Sequence, residues 1–461
     1  MKKAFILMCL AAGLLSCAKE PVPQEEMKGV PMTFEFSVDG QTKASKTAWT
    51  DIDVIYVFFK GIEGKFLILN YDSATQEWWS YIEPGDASLT DTDFEGLDHT
   101  LTAVYLPTPV YVTTDTPGQF TITKDGENPF YGFYLFQEGK AYEIDGTTVK
   151  AGLSLEKPED FIQIHIPCAP NEVGGTFGCS LIQPVACTGV GVNGKIVEKE
   201  LQVGARLTDI ADVDDLVFAG RLTNPGAAAD YTFTFAKDEK IYTLTRESKR
   251  LEGGKQYNFP ALTEIGGTNW TVTDAADLYV DLGLTVKWAK CNLGASEPIY
   301  SGNHFSWGEL VQMPESSFSW ESYYFNPSGD GMTFTKYTGS DYSTLRREDD
   351  AAYAALGGKF RMPTAAEWYE LLTECDWEWE SDISIGWEVT GPSGDSIFLR
   401  ADGYMGEGGF NTGCGYWSSS LNTEGSPSEA WVFTSDYSKD QQMVSVHRHC
   451  GYSVRPVHAD S

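Results

Sequence analysis

Thr33-Phe34-Glu35-Phe36-Ser37-Val38 alternates apolar and polar side chains with a period of two, which places Phe34, Phe36 and Val38 on one face of a strand and their polar neighbours on the other. Phe161-Ile162-Gln163-Ile164-His165-Ile166 repeats the pattern with its isoleucines on one face, and Tyr231-Thr232-Phe233-Thr234-Phe235 sets aromatics against threonines. Val54 to Phe59, Phe66 to Leu69 and Leu101 to Leu106 are further apolar runs of strand length. No helix-length amphipathic pattern competes between Thr33 and Phe259, and short strands punctuated by turn residues predict β-sandwiches. A break near residues 140–152 divides them into two, 33–148 and 149–262. His165 falls inside a strand and reads as an outward or satisfied strand residue, not as a catalyst.

The chain changes character after about Gly266. Trp270, Trp288, Trp307, Trp320, Trp368, Trp377, Trp379, Trp387, Trp417 and Trp431 are ten of its thirteen tryptophans. A helix starts at Thr364-Ala365-Ala366-Glu367, where Thr and Glu three residues apart form a capping box. Trp368, Leu371, Leu372 and Cys375 then recur at helical spacing as its buried stripe. A second short helix is expected from Glu348 through Leu356, stopped by Gly357-Gly358. Asp376-Trp377-Glu378-Trp379-Glu380 alternates as a strand. The expectation for 266–461 is therefore an α+β domain behind two β-sandwiches, in a chain that is mainly β.

The 461 residues are 42% hydrophobic and 21% charged, a globular composition. Acidic residues outnumber basic ones 66 to 33, a net charge of −33, and this excludes a nucleic-acid partner, which needs clustered Lys and Arg. Apart from Cys9 and Cys17 there remain Cys168, Cys179, Cys187, Cys291, Cys375, Cys414 and Cys450, an odd number without a CxxC or zinc-ribbon spacing, and the six histidines are scattered. Neither a structural metal nor a cofactor is expected.

Lys2 and Lys3 precede an apolar run from Ala4 to Leu15 that is short for a membrane span and reads as a signal-peptide core. Leu14-Leu15-Ser16-Cys17 resembles a bacterial lipobox. The resemblance implies a lipoprotein signal peptide over 1–16, lipidation (acylation) of Cys17 and anchorage in the outer membrane. Residues 17–32 are polar and Pro-punctuated, a semi-extended tether. Ala18-Lys19-Glu20 is similar to the short charged signals that send lipoproteins of Bacteroidetes-type bacteria to the cell surface.

Thr42-Lys43-Ala44-Ser45 ahead of Trp49 to Phe58, Ala103-Val104-Tyr105-Leu106-Pro107, and Leu251-Glu252-Gly253-Gly254-Lys255-Gln256-Tyr257-Asn258-Phe259 resemble the fimbrillin superfamily of Bacteroidetes surface lipoproteins over about residues 30–262. The resemblance implies a fimbrium subunit, with other fimbrial subunits as partners. Stalk fimbrillins are matured after a basic residue, often Arg, whereas the first Arg here is Arg206; Lys43 and Lys46 are the substitutes available. Trp288 to Ala295, Phe305-Ser306-Trp307-Gly308-Glu309, Arg361-Met362-Pro363-Thr364, Tyr416 to Ser420 and Tyr452 to Val457 resemble the C-type-lectin-like fold. That fold is shared by the Fibrobacter-type paralogous domain, formylglycine-generating enzymes and variable receptor-binding proteins.

A fold does not deliver a function. Cys414 and Cys450 lack the surroundings of the enzyme family, and Ser418 to Ser420 with His447 and His449 have no nucleophile elbow. Glu297-Pro298-Ile299 lacks the amide oxygen of a calcium-dependent sugar site. In the receptor-binding relatives the binding residues lie on C-terminal loops, which implies Tyr404, Phe410, Tyr437, His447, Arg448 and His449 here, aromatic and Arg types that anchor interfaces. The expectation is a non-catalytic pilus-tip adhesin binding an unidentified protein or glycan receptor. Its alternative is a free-standing glycan-binding surface lipoprotein.

Overall fold

The period-two stretches form strands, as does the unbroken apolar run from Val54 to Phe59, whose alternate side chains enter different cores. The structure, a computed structural model, describes residues 29–39, 49–107, 110–126, 134–167, 176–202, 206–207, 215–222, 225–237, 239–259, 270–312, 317–381, 384–406, 409–435 and 440–459. As far as Asp274 the strands are β1 (Thr33–Val38), β2 (Val54–Phe59), β3 (Phe66–Asp72), β4 (Glu77–Glu83), β5 (Thr100–Tyr105), β6 (Tyr111–Thr113), β7 (Gln119–Thr123), β8 (Leu135–Ala141), β9 (Glu143–Asp145), β10 (Thr148–Leu153), β11 (Phe161–Pro167), β12 (Thr176–Cys179), β13 (Ile182–Gly191), β14 (Ile196–Glu200), β15 (Arg206–Leu207), β16 (Asp215–Leu222), β17 (Ala228–Lys237), β18 (Lys240–Arg250), β19 (Gln256–Asn258) and β20 (Thr271–Asp274).

Among the described residues these strands build sheets in the orders β1-β10-β9, β4-β3-β2-β5-β8, β19-β11-β16-β13-β7-β6 with β14 beside β13, and β15-β12-β17-β18-β20. Ile55, Val57 and Phe59 of β2 enter a first core with Val149 and Leu153 of β10. Tyr56 and Phe58 point the other way, into a second core where Phe66 and Val104 meet Phe120, Phe161 and Val185. Beyond that sheet a third core joins Ile162, Ile164 and Phe218 to Phe177, Phe233 and Leu244. Sheets and cores alternate, so the two middle sheets are buried on both faces.

The division expected between residues 148 and 149 falls inside a layer instead. β10 begins at Thr148 and pairs in parallel with β1, from Thr33↔Thr148 to Val38↔Leu153. Asp145-Gly146-Thr147, part of the expected break, is the turn between antiparallel β9 and β10, with Gly146 at φ 62°. Asp and Gly signal a tight turn as readily as a linker. β7, from the first half of the chain, pairs with β13 of the second. Trp270 and β20, expected in the terminal segment, belong to the third core and to the edge of β18.

The terminal domain continues with β21 (Tyr279–Val280), β22 (Lys287–Ala289), β23 (His304–Phe305), α1 (Ala351–Leu356), β24 (Phe360–Arg361), α2 (Ala365–Glu374), β25 (Asp376–Glu380), β26 (Gly386–Thr390), β27 (Ser396–Arg400), β28 (Tyr404–Gly406), β29 (Gly409–Asn411), β30 (Cys414–Leu421), β31 (Glu429–Ser435), β32 (Gln441–His447), β33 (Tyr452–Ser453) and β34 (Val457–His458). Its beginning and end meet where Val457 faces both Trp288 and Arg361. The capping box is present: Glu367 N donates to Thr364 Oγ1 (3.2 Å) and Thr364 N to Glu367 Oε2 (2.7 Å). Asp350 caps α1 by accepting from Tyr353 N (3.0 Å), and Gly357 ends it at φ 68°.

Arg455 is wholly buried and ties the loops together. Its guanidinium donates to Asn292 Oδ1 (2.8 Å) and to the carbonyls of Ala289 (3.0 Å), Lys290 (3.0 Å) and Phe398 (2.7 Å). The domain sits on the outer face of the β17–β18 sheet. Ala236 and Ile241 pack against Ala275 and Phe360, and Glu239 accepts from Lys359 (2.8 Å) and His458 (2.7 Å). Among the described residues no helix is long and apolar enough to cross a membrane.

Candidate functional site

Two segments of the terminal domain bring most of the expected residues together. The β28–β29 hairpin carries Tyr404 and Phe410, and the turn after β32 carries Arg448 and His449 beside His447. Met405 and Gly451 exchange backbone hydrogen bonds of 2.8 and 2.9 Å, fixing hairpin to turn. Tyr404 lies flat on Tyr452, with centroids 4.7 Å apart and planes 14° apart. The Phe410 ring covers Gly403, where a Cβ would come within 2.2 Å of it, and is itself 55% exposed. Tyr437 lies outside the described residues.

Trp320 joins the cluster, its ring 5.4 Å from His447 and 4.4 Å from His449. It sits in an aperiodic stretch, so no pattern singled it out. The only signal was the aromatic density of Phe318-Ser319-Trp320-Glu321-Ser322-Tyr323-Tyr324-Phe325.

Arg448, expected on an exposed loop, is buried instead. Trp307 N donates to its carbonyl (2.8 Å) and its own N to Ser428 O (2.9 Å), which turns the side chain inward. The guanidinium stands 3.9 Å from the Phe334 ring and 5.5 Å from the rings of Trp307 and Tyr323. Nη1 donates to Tyr337 O (3.1 Å). The rings stabilise the cation, while burial lowers its pKa. Arg448 thus holds the turn from beneath. His449 is also buried, its carbonyl accepting from Ser306 Oγ (3.2 Å). Within the cluster Phe410 is exposed, and Tyr404, Trp320 and His447 are half-buried.

The residues weighed for chemistry have packing roles. Cys414 and Cys450 are buried. Burial raises the Cys414 pKa, the reverse of an activated thiolate. Ser418 Oγ donates to Trp431 O (2.8 Å). Trp377 and Trp379 of β25 pack on Trp387, 5.8 and 5.1 Å away. Among the described residues no group of His, Cys, Asp and Glu is placed to hold a metal ion.

A second feature lies at the opposite end of the molecule. A cleft of about 960 Å³ runs along β1, lined by Phe34, Phe36, Trp49, Trp78 and Lys150 among others. β1 pairs with β10 on one side, and among the described strands its other edge carries no partner strand.

No family model and no curated protein matches the chain. Among solved structures it is similar to a provisionally assigned cell adhesion protein from Bacteroides fragilis NCTC 9343, at 13% identity and TM-score 0.26 over 53% of this chain and 95% of that one. It is also similar to a fimbrial protein from Bacteroides ovatus ATCC 8483, at 10% identity and TM-score 0.22 over 93% and 99%. A provisionally assigned adhesin from the same strain gives 7% identity and TM-score 0.23 over 55% and 100%.

Proposed function

We propose that the protein is a non-catalytic adhesive subunit of the bacterial surface, tethered through acylated Cys17 and displaying its terminal domain as a binding head. The observation that carries this reading is the order of the layers. Sheets and cores follow one another from β1 to the β17–β18 sheet, so the strand nearest the tether and the terminal domain lie at opposite ends of the stack. A head placed this way faces outward from a membrane anchor. Phe410, Tyr404, Trp320 and His447 are its contact surface for a protein or glycan receptor. The open edge of β1 and the cleft beside it suit an extended segment of a neighbouring fimbrial subunit, since an unpaired strand edge offers a row of backbone donors and acceptors.

Immunogold labelling of intact cells with antibody to residues 275–459, with a gel of sheared surface filaments, tests the reading. Label at filament ends with the protein in the sheared fraction is the expected result. Label spread over the cell body, with none sheared, overturns the fimbrial assignment and leaves a solitary surface-binding lipoprotein. Absence of label from intact cells overturns the surface assignment itself.

A further inference from the structure

A cavity of about 340 Å³ lies where the sandwich stack meets the terminal domain. Lys199, Leu201 and Gln202 form its stack side; Tyr324, Phe325 and Lys336 lie across from them. Its walls are fixed by bonds that cross the junction. Gln202 Nε2 donates to Gly308 O (3.0 Å), Leu310 N to Gln202 Oε1 (2.6 Å) and Tyr324 Oη to Glu200 O (3.0 Å). The volume is at the lower end of small-molecule sites, about 300–1,000 Å³.

The charges in this cavity are unevenly paired. Lys336 Nζ is bonded to Glu348 Oε1 (2.8 Å) and to Asp349, and Asp349 also accepts from Tyr337 Oη (2.5 Å). Both carboxylates are thereby committed to Lys336 and its neighbours. Lys199 lines the same cavity, half-buried, and among the described residues no carboxylate bonds to it. Burial and the neighbouring Lys336 charge hold its pKa below the usual lysine range, against a smaller opposing pull from Asp349 and Glu348. A half-buried ammonium without a bonded counter-ion is stabilised by an anion that replaces its lost hydration.

We infer that this cavity is a binding site for a small organic carboxylate, with Lys199 as its cation and Tyr324 and Phe325 as the wall for its body. Asp349 and Glu348 limit the tolerated charge to one, which disfavours phosphate dianions. Because the site draws residues from both sides of the junction, an occupied cavity also ties the terminal domain to the stack. The inference stands without the adhesive reading above.

Calorimetric titration of the full chain with sodium glucuronate, sodium benzoate, glucose and inorganic phosphate tests it. Binding of glucuronate alone identifies an acidic sugar, and binding of benzoate as well identifies carboxylates generally; either supports the site. Lys199→Met then weakens the carboxylate at least about tenfold, the loss of one charge-assisted bond. A thermal melt matching wild type shows that the variant is folded, and Lys199→Gln replaces it if Met does not fold. The inference is overturned if glucose or phosphate binds as tightly as glucuronate. It is equally overturned if no carboxylate binds, or if the folded Lys199 variant binds as wild type does.

Discussion

Phe58→Ala separates a shared core from two independent sandwiches. Phe58 is 1% exposed and its ring lies 4.8 Å from Phe120 and 5.5 Å from Phe66. Phe66 shares its sheet, whereas Phe120 is on β7, which extends the sheet of β13. Removing a packed core phenylalanine costs about 3–5 kcal/mol. At a urea dependence of about 1–3 kcal/mol/M, the midpoint falls by roughly 1 M or more. Because the lost contacts belong to both sheets, the loss must appear on both sides of the second core. Hydrogen exchange read peptide by peptide separates them: amides of β2 and β3 report one side, those of β11 and β13 the other. The layered fold requires protection in all four strands to fall by a similar free energy. A loss confined to β2 and β3, with β11 and β13 unchanged, refutes the shared core. Ile52→Ala, at a position 84% exposed, is the control and shifts stability by no more than about 0.5 kcal/mol.

Arg455→Met leaves Asn292 and three carbonyls without their buried donor, a loss on the order of 3–5 kcal/mol, and near-ultraviolet circular dichroism should show the terminal domain's tryptophan packing weakened. Lys has three donors on a point charge and cannot serve the same four acceptors in a planar fork, so Arg455→Lys should rescue only part of that signal. Phe410→Ala should change stability by no more than about 0.5 kcal/mol, while weakening receptor binding once a receptor is in hand; an unfolding midpoint that moves as far as for Phe58→Ala contradicts an exposed contact residue. Burial raises the Asp350 carboxyl from 3.8 to about 6, so the folded state holds that proton more tightly than the unfolded one. The contribution of Asp350 to stability is then greatest below 3.8 and falls by on the order of 3 kcal/mol as pH rises to about 6. Urea unfolding of Asp350→Asn should lack this decline, and identical pH profiles for the two proteins sink the assignment.

What the sequence disclosed follows from which forces are local. The capping box at Thr364 and Glu367 and the alternation in β1 and β17 are settled within a few residues, and they were legible. The shared core left a signal too: Val54 to Phe59 is apolar at every position, the mark of a strand buried on both faces. What the run could not name was the partner. Phe58 meets Phe120 only because β7 crosses to the sheet of β13, a long-range pairing with no local trace. The hairpin turn at Gly146 misled for the same reason, since Asp-Gly-Thr bends the chain without saying whether the next strand returns to its own sheet.

The proposed contact surface was half legible, and the missing half concerns burial. A guanidinium is exposed by default, so His447-Arg448-His449 reads as a polar loop until Phe334, Trp307 and Tyr323 are seen around Arg448. Those rings come from segments more than a hundred residues earlier in the chain, and no spacing announces them. Once they are in place the roles separate. Arg448 is committed to the inside, and Phe410, which has no partner deep enough to bury it, is left outside. If the head binds through this face, truncating Phe410 should therefore affect binding with the fold intact. Truncating Arg448 should remove both together, because the turn carrying His447 loses the cation beneath it.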